Sequence, residues 1–248
     1  MKKVKNILAA VVAIVLAPIF CAACHASTSA DSSPAADNHE SATDSFAVAM
    51  NPSRDYLIIV NDDYPYRFGD AYDEALQSDI IYVADCYGEP TPVEKAAYLA
   101  FSELAADLHA QGIQIALYSA YRTESDQQWV YDHYANLKNW DDTNTVKEPG
   151  YSEHHTGLMI EFVVWYNGGD DSAEWTWYTV TAERATDPYY QPIWSTLAKY
   201  GFIERYPAGK EDITGVTYEP YELRFVGSSA VATEIAAQGI CLEEYAQK

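Results

Sequence analysis

Residues 149–164 read PGYSEHHTGLMIEFVV, a polar loop that runs into an apolar segment. Leu158 to Val164 is apolar except for Glu161, which stands between Ile160 and Phe162. A short apolar run opened by a glycine reads as a buried strand. A carboxylate inside such a strand needs a partner, because an unpaired buried charge is costly. The loop ahead of it carries the one adjacent histidine pair in the chain, His154 and His155, with Ser152 just before and Gly157 just after. A loop histidine and a strand carboxylate can converge on one cation, since zinc takes imidazole nitrogen and carboxylate oxygen. On this segment alone a surface loop beside an ordinary acid is the simpler reading. The position of Glu161 tilts the balance toward a site.

The segments around it set the fold class. VEKAAYLAFSELAADLHA (Val93–Ala110) puts Ala97, Ala100, Phe101, Leu104 and Leu108 at helical spacing and predicts an amphipathic helix closed by Gly112. QIALYSAYR (Gln114–Arg122) predicts a strand running into a loop, and SDQQWVYDHYANL a second helix. Glu124 and Asp126 sit near the start of that helix, where acids favour the helix dipole. DYLIIVN (Asp55–Asn61) reads as a strand, WSTLAKYG as a short helix ended by Gly201, and YELRFVG as the last strand. A final helix carries Ala230 to Ala237. The aromatic and polar stretch 165–190 is read as a flap lining a groove or as a local hydrophobic cluster. Strands and helices alternate without a regular βαβ rhythm, so the class is α+β.

The chain has 248 residues and a formal charge of −22. That charge excludes nucleic acid, whose phosphates need basic partners. Lys2, Lys3 and Lys5, the apolar run Ile7–Phe20 and the small residues of CAACHAS form the layout of a secretory signal over 1–26. Cleavage after Ala26 is the first reading of this layout, lipid attachment at Cys24 the second and an uncleaved anchor the third. Residues 27–50, rich in Ser, Ala and Asp, read as a flexible spacer, and 51–248 as one folded domain. An extracytoplasmic protein is expected, secreted or anchored at the cell surface, touching the membrane only through an N-terminal anchor. A monomer is expected. Export permits a disulfide between Cys86 and Cys241, and two buried thiols are the alternative.

Three ordered stretches amount to a family resemblance. PGYSEHHTGLMIEF is similar to the S-x-H-x-x-G-x-A-x-D signature of the VanY-type D-alanyl-D-alanine carboxypeptidases, zinc D,D-/L,D-peptidases of bacterial peptidoglycan. SAYRTESDQQ resembles their S-G-Y-R-S segment with its downstream Gln. YGFIERYPAGKEDITGVTYEPYELRFVG resembles their Y-G-F-x-x-R-Y-P…K…T-G…E-P-W-H-x-R-Y-V-G ending. The resemblance runs from about Leu57 to Gly227. It implies a single α+β domain with a small central antiparallel sheet flanked by helices, of the Hedgehog/D,D-peptidase kind.

It also implies roles. His154 matches the first metal ligand, and Glu161 stands at the position of the Asp ligand. Glu219 matches the general base, which takes a proton from water and returns it to the leaving amine. Arg122 matches the arginine that stabilises the oxyanion or the substrate carboxylate. Gln127, Ser152 and Tyr121 match substrate-binding positions, with loop capping as the competing role for Ser152. Besides Glu161 in place of Asp, the first of two ligand changes, three positions depart from the pattern. Glu222 stands where the family has its third ligand, a His. Tyr221 replaces the Trp before it, and Met159 replaces an Ala. No histidine follows His155. The ligand set is then His154, Glu161 and Glu222, with Glu219 beside it. It implies one divalent cation, zinc by resemblance, with manganese or another hard cation admitted by the oxygen-rich set. If Glu222 turns outward or pairs with Arg224 or Arg205, no metal binds. For Arg122 the ordinary alternative is an ion pair with an acid such as Glu153. The expected function is a metallo-carboxypeptidase that removes the terminal D-amino acid from peptidoglycan stem peptides. The alternatives are a silent relative that binds such peptides and a calcium-stabilised structural domain.

Overall fold

The computed structural model describes residues 45–136, 146–166 and 176–247, all within one compact unit spanning Ala42–Lys248. Helices α1 (Ser45–Ala49) and α2 (Ala71–Asp79) precede a two-stranded hairpin, β1 (Ile80–Ala84) and β2 (Pro90–Glu94). There follow α3 (Lys95–Ala110), β3 (Ile115–Ser119), α4 (Glu124–Ala135), a 3-10 turn (Glu153–Thr156) and β4 (Met159–Tyr166). Strand β5 (Thr176–Tyr178), α5 (Gln191–Thr196), a second 3-10 turn (Leu197–Tyr200) and β6 (Phe202–Glu204) come next. The described chain closes with α6 (Glu211–Thr214), β7 (Glu222–Phe225), α7 (Ser229–Gln238) and α8 (Leu242–Ala246). The main sheet is antiparallel in the order β3-β4-β7-β6, and β5 pairs with the C-terminal end of β4. This is the α+β domain with a small antiparallel sheet that the sequence predicts.

Strand β4 is its spine, buried from Met159 through Val164. Helix α3 lays Ala97, Ala100, Phe101, Leu104 and Leu108 into the core shared with Phe162, Phe202 and Phe225, as the spacing requires. The helix begins at Lys95 because the Glu94 carboxylate accepts the Ala97 N–H at 2.6 Å, satisfying a free donor of the first turn. Helix α4 begins with a reciprocal capping box between Thr123 and Asp126. The sheet register sets Ser119 opposite Glu161 and Glu161 opposite Glu222, after an irregularity in β3 between Leu117 and Ser119. Directly paired residues project to the same face, so three adjacent strands present one polar row.

Several expectations change. Asp55–Asn61 is irregular rather than a strand. Its backbone groups are taken by side chains: Arg224 Nη2 donates to the carbonyls of Tyr56 (3.0 Å) and Ile58 (2.9 Å), and Val60 N–H donates to Glu153 Oε1. The folded part also starts before residue 51. Phe46 is 1% exposed and packs edge-on against Phe225 at 5.5 Å, so a spacer over 27–50 is too long. Within 165–190 the described aromatics pack on one another, Trp165 with Trp177 at 5.0 Å and Tyr166 stacked on Tyr189 at 4.4 Å, the local-cluster reading. Cys86 and Cys241 are free thiols. The leader expected over 1–26 lies outside the described residues. Among the described residues no helix is long and apolar enough to cross a membrane.

Candidate metal centre

The 3-10 turn that carries the histidine pair is fixed at both ends. Ser152 caps its start, and Gly157 ends it at φ +71°. A Cβ on Gly157 would come within 2.9 Å of Leu76 Cδ1 and 3.2 Å of Glu94 Cβ, so the turn packs as it does only with glycine there. Ser152 thus has the capping role, and it also borders the site.

The two histidines then divide. His155 is fully buried, packs on Phe68 at 4.8 Å, accepts from Gly150 N–H at Nε2 and faces the Arg122 carbonyl with Nδ1. Burial pushes its pKa down to about 4 against that hydrogen bond, so it stays neutral and serves the scaffold. His154 directs Nδ1 at the Ala120 carbonyl, which makes Nδ1 the donor and leaves the Nε2 lone pair free. That nitrogen faces Glu161 Oε1 at 3.1 Å and Glu222 Oε1 at 3.4 Å.

One potential ligand atom from each of His154, Glu161 and Glu222 lies within 4.8 Å of the others, and all three residues are buried. Three acceptors aimed at one another repel unless a proton or a metal cation lies among them. Burial and Arg122 both lower the His154 pKa, yet hydrogen bonding to Glu161 and Glu222 outweighs them and leaves it raised. An imidazole with its second nitrogen on a carbonyl, joined by two carboxylates, is also a donor set suited to a divalent cation. The residues present fit such an ion.

Glu222 therefore turns inward. Arg205 and Arg224 are taken by Glu153, and Arg205 also by Glu243. Glu153 is likewise unavailable to Arg122, whose partner is Glu161 itself, with Ser119 Oγ at 3.1 Å and Gln127 Oε1 at 3.4 Å. Burial favours the neutral form of Glu161. The Arg122 charge and the His154 hydrogen bond override it and hold the carboxyl well below the usual range.

Glu219 lies beside them, 3% exposed. Burial first, then the charge of Glu222, pushes its pKa far above the usual carboxylate range. Together with Arg122 and Tyr221, the three carboxylates line an open cleft of about 600 Å³. A polar recess of about 20 Å³ adjoins them, bordered by Gln127, Ser152 and His154 among others.

Tyr121 departs from expectation. Its ring clusters with Val60, Tyr66 and Leu76, and its hydroxyl accepts from Gln77 at 2.7 Å, so it supports the loop rather than lining the cleft. Sequence reasoning missed two features. One is the Tyr221 hydroxyl, which donates to Glu219 Oε1 at 2.9 Å. The other is Trp129 stacked on His133 (5.5 Å, 13°) on the cleft side of α4, a pair that its i, i+4 spacing in QQWVYDHY could have suggested.

Comparison with known proteins agrees with this geometry. The model of the VanY D-alanyl-D-alanine carboxypeptidase family matches residues 91–228. A D-alanyl-D-alanine carboxypeptidase of Enterococcus faecalis is 33% identical over 168 residues, covering 64% of this chain and 56% of that protein. The chain spans about half the length of most of the curated relatives it matches. VanYB in complex with D-alanine-D-alanine superposes with a TM-score of 0.59 at 27% identity, covering 78% of this chain and 98% of that one. A variant of the vancomycin resistance D,D-pentapeptidase VanY in complex with Zn(II) gives 0.55 at 27%, covering 77% and 98%. With the matched region spanning Arg122, His154, Glu161, Glu219 and Glu222, the chain belongs to the VanY D-alanyl-D-alanine carboxypeptidase family.

Proposed function

We propose that the protein is a metallo-carboxypeptidase that removes the terminal D-amino acid from peptidoglycan stem peptides. The observation that carries this reading is Glu219, a buried carboxylate that lines one cleft with Glu161 and Glu222, the two acids on which His154 converges from the adjoining recess. His154, Glu161 and Glu222 would hold the cation, zinc by kinship with the zinc-bound relative. When bound, the cation supplies Lewis-acid polarisation of water and of the scissile carbonyl. Glu219 takes the proton from the attacking water as the O–C bond forms, then gives it to the amine nitrogen as the C–N bond breaks. A cation among the ligands would offset part of the Glu222 charge, which lowers the raised pKa of Glu219 and lets it act as a base. Arg122 offers donors at the cleft wall to the developing oxyanion or to the terminal carboxylate. The adjoining recess at Gln127 and Ser152 has room for about one water-sized polar group, which suits a carboxylate oxygen.

A second reading is favoured by the Arg122–Glu161 ion pair, which engages a guanidinium that substrate would need. On that reading the chain binds stem peptides without turnover. The two readings separate in one experiment. The purified chain is incubated with a peptide ending in D-Ala-D-Ala, first metal-free, then with zinc and with manganese. Release of D-alanine is expected. No release under any metal, beside an active relative, would sink the enzyme reading, and calorimetric binding of the same peptide would then support the second. Such a substrate lies outside the cytoplasmic membrane, which agrees with the basic and apolar start of the chain, and cell fractionation checks that location.

A further inference from the structure

The three carboxylates of the cleft are held in different ways. Glu161 is paired with Arg122, and Glu222 lies 3.4 Å from His154 Nε2. No Lys or Arg pairs with Glu219 among the described residues. Its carboxylate is buried, and Glu222 stands three positions along the chain, tied back by Glu222 N–H to the Glu219 carbonyl at 3.1 Å. Two buried carboxyls brought this close repel when both are ionised, as the base role of Glu219 requires, and one of them turns away unless a donor holds it. The donor is the Tyr221 phenol, at 2.9 Å from Glu219 Oε1.

The family pattern has Trp and His at these two positions. Here an anion stands in place of the imidazole, and a hydroxyl donor stands next to it, aimed at the group the anion repels. We propose that Tyr221 is a positioning residue for Glu219 and that Tyr221 and Glu222 act as one unit. The phenol O–H keeps the base carboxylate in the cleft against the charge that Glu222 brings. The kinetic consequence rests on the carboxypeptidase reading, and the geometric one does not.

A cycle of four metal-loaded proteins tests it: the unaltered chain, Tyr221→Phe, Glu222→His and the double variant, each assayed on a peptide ending in D-Ala-D-Ala. Tyr221→Phe keeps the ring and removes only the donor. It should lower kcat by about tenfold to a hundredfold, the range for a hydrogen bond to a charged group, while KM stays within about twofold. In the Glu222→His background the same change should cost less than about threefold, because the repulsion it opposes is gone. Equal losses in both backgrounds, or a loss confined to KM, would overturn the proposal. Crystal structures of the unaltered chain and Tyr221→Phe decide the geometry independently of turnover. The Glu219 carboxylate should leave its position in the variant, and its staying in place would overturn the positioning role. Absence of turnover by the unaltered chain, with Glu219 displaced in the variant, would sink the carboxypeptidase reading alone.

Discussion

Glu222 brings a carboxylate oxygen within 3.4 Å of His154 Nε2, where an imidazole would bring a softer, neutral nitrogen. One nitrogen and two carboxylates form a harder donor set than two nitrogens and one carboxylate, and hardness narrows the preference for zinc over manganese. Glu222→His should therefore raise the zinc-to-manganese affinity ratio by about tenfold or more, read by competitive metal titration. An unchanged ratio would mean that Glu222 is not a ligand. Glu219 makes the opposite prediction, because it stands beside the ligand group without belonging to it. Glu219→Gln should leave zinc affinity within a few-fold while turnover falls by roughly a hundredfold to ten-thousandfold, the range for a lost general base. If zinc affinity falls in step with turnover, Glu219 is a ligand and the assignment of roles is wrong.

At the scale of elements, the site depends on how the 3-10 turn enters β4. Ser119, Glu161 and Glu222 are aligned by strand pairing, but His154 reaches them only because the chain reverses at Gly157 with φ +71°. The turn rests on Leu76 of α2 and on Glu94, the residue that caps α3. Gly157→Ala meets two penalties, the left-handed conformation and the contact with Leu76. It should destabilise the fold by roughly 1–3 kcal/mol in urea unfolding. Metal affinity should fall with it, since His154 moves with the turn. A stable Gly157→Ala protein with normal metal affinity would show that the turn adapts.

Across the whole molecule, one buried charge network ties the site to both ends of the described chain. Glu153, next to His154, pairs with Arg205 and Arg224. Arg224 holds the backbone at Tyr56 and Ile58, and Arg205 continues to Glu243 of α8 at 2.6 Å. Removing a central partner leaves buried charges uncompensated, so Glu153→Ala should cost about 3–5 kcal/mol. Burial works against ionised Glu243, but the charge and hydrogen bonds of Arg205 prevail and lower its pKa. A depressed carboxyl pKa contributes stability above the unfolded value, and that contribution is lost as pH falls through the folded value. Glu243→Gln should thus be destabilised relative to the unaltered chain at pH 7. The difference should shrink below about pH 4 as the carboxyl protonates in both states. A difference that persists unchanged at low pH would mean that packing, not charge, explains the loss.

Helix α3, strand β4 and the cleft residues were legible because their signals are local. Helical spacing from Ala97 to Leu108, an apolar run around one acid, and the ordered motifs around Arg122, His154 and Glu219 each lie within a few turns of chain. Asp55–Asn61 misled because its apolar residues look like a strand, while the groups that satisfy its backbone come from afar: Arg224 is 166 residues from Ile58. Tyr121 was misplaced for the same reason, since adjacency to Arg122 in sequence says nothing about which side of the loop its ring takes. The residue types, the class of fold and the candidate ligands were thus already written in the chain. The inward turn of Glu222, the pairing of Arg122 with Glu161 and the grip of Tyr221 on Glu219 arise only when distant strands bring like charges together and each must find a donor in a buried space.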